Sequence, residues 1–258
     1  MSNLIKSNKT IDVLKSNDIK GYVQNMLGDR TSDFITSMVS VVNGNVDLQN
    51  CTPESILGSC LKAASLKLPV DPSFGQSYII PYKDTATFQI GYKGYLQLAI
   101  RSGLYRKINV CDIRVGEIVE IDEFNEVYKF SKIPDDKKRE DAAVVGYFGF
   151  FEMDNFKKSI YWSVEKIKSH AKKYSTSYNS PSSPWRSNFD NMAKKTVLKE
   201  LLSKWGILSI DIQEALSSDN KKIEYDGNAF EESYVVADNV EIIDTPSKLE
   251  QEFNKNKE

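Results

Sequence analysis

The stretch Thr87 to Lys107, TFQIGYKGYLQLAIRSGLYRK, constrains the fold most tightly, because its hydrophobic period changes within a few residues. Phe88, Ile90 and Tyr92 alternate with Gln89 and Gly91, the pattern of a strand running into a turn. From Gly94 the spacing is helical: Tyr92, Leu96, Ala99 and Ile100 recur on one side, while Lys93, Gln97 and Arg101, each four residues apart, make a cationic flank. Strand must therefore pass to helix through Gly91-Tyr92-Lys93-Gly94. Two glycines permit close backbone approach, and amides at a helix start can face an anion. A phosphate beside Lys93 is one reading of this turn, and a tight turn ahead of a core helix is the other.

With 258 residues, 40% hydrophobic and 11% aromatic, the chain can bury a substantial core. It holds no apolar run long enough to span a bilayer and opens on no signal-like segment, so the expectation is a cytoplasmic protein with no membrane partner. Cys51, Cys60 and Cys111 lack C-x-x-C spacing, and His170 is the single histidine, which points to reduced, mostly buried thiols and to no conventional zinc site. The net charge of −2 hides a division. Residues 217–258 carry eleven acids and five lysines, a balance of −6, so residues 1–216 must carry +4.

Residues 1–20 are polar and read as a flexible arm, 21–210 as the main domain, and 211–258 as an acidic tail or a small partner-binding module. Phe34, Ile35, Met38, Val39 and Val42 predict a helix stopped by Asn43-Gly44, and Thr52-Pro53 opens a second helix that ends near Leu68. Tyr78–Tyr82 and Ala86–Ile90 read as a hairpin, with Pro81 placing the first strand at an edge. Extended runs follow at Ile108–Val115 and Glu117–Asp122. Asp135 to Asp141, DDKKRED, reads as a solvated loop, and Val144–Met153 and Phe156–Trp162 as a hairpin turning at Asp154-Asn155. The fold class is α+β: a small antiparallel sheet packed against helices that precede and follow it.

Ser163 caps a helix in which Lys166, Lys168, Lys172 and Lys173 surround Val164, Ile167, Ala171 and Tyr174. A Ser/Tyr/Asn/Pro loop follows, then Trp185-Arg186, then a helix over Asn188–Trp205 closed by Gly206. Its stripe is Val197, Leu198, Leu201, Leu202 and Trp205. Lys194 falls in line with that stripe, whereas Lys195 and Lys199 lie together on an adjacent flank. Lys194 either snorkels past the core or is held in a groove for an anionic backbone. Between Ile160 and Trp205 nine Lys/Arg face three acids, a local +6 interleaved with Tyr174, Tyr178, Trp185 and Phe189. Cations that track phosphates beside aromatic faces that stack bases suit a single strand.

Three ordered blocks, PESILGSCLKAASLKLPVDPSFGQSYIIPY at Pro53–Tyr82, FQIGYKGYLQLAIRSG at Phe88–Gly103 and SPWRSNFDNMAKKTVLKELL at Ser183–Leu202, resemble the RecT family of phage single-strand annealing proteins over about residues 20–210. The resemblance implies a small antiparallel sheet on a long helix and ATP-independent annealing of complementary strands during phage homologous recombination. It also implies rings or helical filaments of the protein on single-stranded DNA and annealed duplex, and work beside a phage exonuclease. Glu200 and Ser203 stand where relatives tend to continue the basic helix with further cations.

Annealing needs no covalent chemistry, so the expectation is a protein that is no enzyme and requires no cofactor and no ATP, with magnesium serving only to screen DNA charge. Lys93, Arg101, Arg186, Lys194, Lys195 and Lys199 are the candidates for phosphate contact, and Tyr92, Tyr95 and Trp185 for lining the groove or supporting bases. The acidic tail could meet a phage exonuclease or a host single-strand binding protein. A metal-dependent nuclease and a sequence-specific duplex-binding regulator are the rivals. The chain lacks a Glu-x-Lys triplet and a Gly-Lys dipeptide, which weighs against a nuclease and a nucleotide-driven recombinase respectively.

Overall fold

The computed structural model describes residues 9–175, 178–181, 183–207, 209–219, 221–225 and 230–234. Most helix ends sit where the sequence supplies a cap. Helix α1 (Lys9–Leu14) leads to α2 (Asn17–Leu27), whose start is capped by Ser16, and α3 (Thr31–Asn43) stops at Gly44. Asn45 caps the single turn α4 (Val46–Gln49). Thr52 caps α5 (Pro53–Ser65), with Pro53 in the first turn where its missing N–H costs nothing. Within the expected arm, Lys9–Leu14 and the residues from Asn17 onward are helical. Ile11 and Leu14 are buried in the core, and two well-placed apolar residues suffice to dock a segment whose average composition is polar. Residues 1–8 of the expected arm lie outside the described residues.

Strands β1 (Ser77–Tyr82) and β2 (Thr85–Ile90) form the expected hairpin, turning at Lys83-Asp84 with Lys83 at φ 58°. Pro81 lies on β1, which is an edge strand. Helix α6 (Tyr92–Ser102) follows β2 directly, then β3 (Lys107–Arg114), β4 (Ile118–Asp122), β5 (Val127–Phe130) and α7 (Asp136–Asp141). Next come β6 (Val144–Glu152), β7 (Lys157–Ser163), α8 (Val164–Tyr174), the turn α9 (Pro184–Ser187) and α10 (Phe189–Trp205). Helix α11 (Ile210–Ser218) and strands β8 (Lys221–Tyr225) and β9 (Phe230–Tyr234) complete the described chain.

The class is α+β, with antiparallel sheets packed against helices. There is more than one sheet: β1-β2-β8-β9, β3-β6-β7 and the separate ribbon β4-β5. The expected single middle sheet divides because α6 lies between β2 and β3. Strands β8 and β9 come from the part of the chain read as a tail, and β8 joins β2 through one register pair, Thr87 with Lys222. Residues 235–258 lie outside the described residues. The segment DDKKRED is a short helix and not a loop: Asp135 accepts the N–H of Lys138 as its cap.

Helix α10 packs on β3, β6 and β7 and, on another side, against α6. Val197, Leu198, Leu201 and Leu202 are fully buried, each worth about 1.5–3 kcal/mol of transfer free energy. Gly149 on β6 makes this contact possible, since a Cβ there would stand 2.9 Å from Val197 Cγ1. Trp205, expected in the stripe, is 45% exposed. On α6 the buried face is Tyr95, Leu98 and Ala99, and Ile100 is 57% exposed, so the burial is rotated from the expected one by the demands of α10. The polar bonds of α5 reach β2 in the same region: Ser55 Oγ accepts from Ala86 N–H at 2.9 Å and Ser59 Oγ donates to the Ala86 carbonyl at 3.1 Å.

Candidate nucleic-acid interface

The turn before α6 is filled by protein. A Cβ at Gly91 would lie 2.2 Å from the Gly75 carbonyl oxygen, and one at Gly94 2.2 Å from that of Gln76. The Gly91 N–H donates to Gln76 at 2.9 Å. Close backbone approach is therefore the use of both glycines, but the partner is the segment at 75–76 and not a phosphate. Lys93 is exposed above this contact and has no acidic partner among the described residues.

Helices α6 and α10 pack against one another, and two lysines of α10 are neutralised where they meet. Lys195, 8% exposed, donates to Asp219 Oδ1 at 3.0 Å, and Lys199 donates to Oδ2 at 3.0 Å. The same carboxylate accepts from Ile90 N–H at 3.1 Å and from the fully buried Tyr95 hydroxyl at 3.1 Å. Burial alone would raise the Asp219 pKa. The two ammonium groups and the Ile90 amide overcome that and hold it well below the usual carboxylate range. Burial pushes the Tyr95 hydroxyl well up, with Asp219 adding to the effect.

Other candidates are similarly engaged. Lys194 pairs with Asp190 at 2.7 Å, lies 3.9 Å from Asp112, and sits 6.0 Å from the ring of the half-buried Tyr92. Arg101 reaches the C-terminal end of α5, donating to the carbonyls of Leu66 at 2.7 Å and Lys67 at 3.2 Å. Trp185 is buried, edge-on to Tyr178 and Phe189, because Ser183 and Pro184 fold α9 inward. Lys195, Tyr95 and Trp185 therefore line no groove in this conformation. Arg186 is exposed and without an acidic partner among the described residues.

Around Lys194 the ion pairs form a chain that no run of sequence announces. Asp112 accepts from Arg114 at 2.9 Å and Arg139 at 3.2 Å. Arg139, from the segment expected to be a solvated loop, pairs with the buried Glu117 at 2.6 Å. Burial opposes ionisation of Asp112 and Glu117, yet bonds from these arginines lower both. Among the described residues no group of three or more His, Cys, Asp and Glu side chains could hold a metal ion. Cys51, Cys60 and Cys111 are free thiols, and burial raises Cys51 to about 11 and Cys60 to about 12.

The open cationic surface lies on α8. Both α8 and α10 rest on β6 and β7. Lys166 Nζ lies 4.9 Å from the Trp162 ring, Trp162 packs on His170 at 5.2 Å, His170 on Tyr174 at 4.6 Å, and Lys173 Nζ lies 5.0 Å from Tyr174. Two lysines thus flank a run of three rings, of which Trp162, from β7, is buried and Tyr174 is exposed. Burial lowers the His170 pKa; Glu200 opposes this, and Lys199, Lys173 and Lys204 add to it, so the ladder borders α10. His170 Nδ1 is buried with no hydrogen-bond partner. Lys166, Lys168, Lys172 and Lys173 are all exposed. Of this surface the sequence singled out only the lysine cluster and Tyr174. The missed signal is the spacing of Lys166, His170, Lys173 and Tyr174 at i, i+4, i+7 and i+8, one face of a helix.

The architecture is an α+β core that presents lysines beside aromatic rings on one exposed helix face. The chain belongs to the RecT family, whose model matches residues 32–235, and that membership places it among DNA recombination proteins. It is 38% identical over 244 residues to the uncharacterized protein YqaK of Bacillus subtilis (strain 168), covering 94% of this chain and 81% of that one. It is 27% identical over 187 residues to protein RecT of Escherichia coli (strain K12), covering 68% of this chain and 66% of that one. No helix among the described residues is long and apolar enough to cross a membrane.

Proposed function

We propose that the protein binds single-stranded DNA along the α8 face and promotes its pairing with a complementary strand, without ATP and without covalent chemistry. The observation that carries this reading is the Lys166–Trp162–His170–Tyr174–Lys173 ladder. Its ammonium groups are held against rings and not against carboxylates, so they remain available to phosphates. Exposed Lys93 and Arg186 are further phosphate contacts in this scheme. Lys194, Lys195, Lys199, Arg101, Tyr92, Tyr95 and Trp185 are engaged by the protein itself in this conformation. Neutralising one strand's phosphates lets a second, like-charged strand approach, and the exposed Tyr174 ring can stack a base without demanding a sequence. Protomers side by side would extend the face along the strand, in a ring or filament.

The test is to load the protein on one labelled oligonucleotide and add its complement with no nucleotide present, following pairing by energy transfer. Pairing faster than the spontaneous rate, lost on raising salt, supports the reading. Protein that merely retards one duplex sequence would favour a regulator. Shortened labelled strands with magnesium would favour a nuclease.

A further inference from the structure

The meeting point of β2, α6 and α10 contains four donors aimed at one small anion. Ile90 N–H and Lys195 Nζ address one oxygen, at 3.1 and 3.0 Å, and Tyr95 Oη and Lys199 Nζ address the other, at 3.1 and 3.0 Å. Two ammonium groups, an amide and a hydroxyl turned to donate make this an anion pocket, and without an occupant it would leave two ammonium charges uncompensated beside the core. The occupant, Asp219, comes from a different part of the chain, the end of α11.

Helix α11 packs on α6 and β2 through the buried Ile212, Ala215 and Ser218, Glu214 pairs with Lys62 at 2.8 Å, and β8 beyond it packs on α5 and meets β2 at Thr87 with Lys222. The pocket also has an open side, for the Lys199 side chain is 36% exposed and borders His170 of the α8 face.

We infer that Ile90 N–H, Tyr95, Lys195 and Lys199 form a phosphate site that Asp219 fills from within the chain, and that a phosphodiester on the α8 face displaces Asp219 and lifts α11. A phosphodiester offers what the Asp219 carboxylate offers, two oxygens sharing one negative charge, so it can take up the same four donors in its place. Asp219 then serves as a gate on the very strand-binding surface proposed above, and the inference rests on that reading. In the closed state the gate also supplies the counter-charge that keeps Lys195 buried.

The full chain carrying Asp219→Asn is compared with Asp211→Asn, which removes the same charge from an exposed position on the same helix. Two quantities are read: affinity for a labelled single strand at fixed salt, and the shift in Tm with inorganic phosphate. Asp219→Asn should bind the strand about fivefold more tightly than the control and gain stability with phosphate, as two released ammonium contacts allow. The gain should vanish in Asp219→Asn/Lys195→Met. Equal affinity in the two single variants, with no phosphate shift, overturns the gate. Should Asp219→Asn fail to fold, hydrogen exchange in the unaltered protein decides: faster exchange over residues 210–219 when DNA is bound supports the gate, and unchanged or slower exchange refutes it. A protein that takes up inorganic phosphate but binds no single strand would instead place the failure in the proposed function.

Discussion

Lys195 on α10 and Lys166 on α8 project from helices that rest on the same sheet, yet they do opposite work. Lys195 is enclosed with Asp219, Tyr95 and the Ile90 amide, whereas Lys166 lies over Trp162 with its other side in water. The difference is the company each keeps. A carboxylate partner withdraws an ammonium group from DNA, while an aromatic partner orients it and leaves its charge unspent. The two regions therefore divide a locally basic sequence into a part closed on a carboxylate and a part left open, the one to which the proposed function assigns binding.

The most severe way to break this division is Lys195→Met. Removing one partner leaves Asp219 short of a counter-charge in a buried site, and such changes cost about 3–5 kcal/mol. Urea unfolding should show a midpoint far below that of Lys166→Ala, which should stay within about 0.5 kcal/mol of the parent. Equal midpoints for the two variants would dissolve the contrast.

Acid should strike the closed region first. Asp219, Asp112 and Glu117 are all held below their ordinary range, so the stability they contribute is fully present above about pH 4, the unfolded carboxylate value. It is lost as pH falls through that value toward the folded ones, at up to about 1.4 kcal/mol per pH unit for each group. Thermal melts from pH 5 to pH 2 should steepen below pH 4, and less so in Asp219→Asn. A parent profile that is flat down to pH 2 would show that these carboxylates are not stabilised by folding.

The open region answers to a different measurement. Lys166→Ala/Lys173→Ala should weaken single-strand binding about tenfold and reduce the slope of log affinity against log salt by about 1.4, since two phosphate contacts disappear. The melting temperature should barely move. Loss of affinity with an unchanged salt slope would mean that these lysines act through the rings they cover.

How much of this was legible beforehand depended on whether the deciding interaction was local. The cap at Thr52-Pro53, the Lys83-Asp84 turn, the strand-to-helix switch at Gly91 and the extent of α10 are local, and each follows from residue types a few positions apart. That Lys195 and Lys199 close on a carboxylate was not legible, because Asp219 lies 20 residues beyond Lys199 in a segment whose average charge suggested a tail or a small module. Arg139 was hidden in the same way: a dense mixture of charges reads as solvated, and only the fold brings Glu117 beneath one of its members. Trp185 looked exposed from the polar loop before it, but packing between Tyr178 and Phe189 overrode that cue.

The smallest expected effect marks where the contrast ends. Lys107 and Glu152 pair across β3 and β6 at 2.9 Å, a distance as short as those of the buried pairs, but the Lys107 side chain is 66% exposed and that of Glu152 39%. Solvent screens the attraction and each long side chain loses freedom in making it, so such pairs contribute about 0–1 kcal/mol. Lys107→Ala should therefore lower stability by less than about 0.5 kcal/mol in urea. Half-molar salt should erase the difference, because it shortens the reach of exposed charges to a few ångströms, while the deficit of Lys195→Met persists. A salt-resistant loss at Lys107 would mean that short distance alone sets the strength of these pairs, and the separation of closed from open cations by burial would then lose its physical basis.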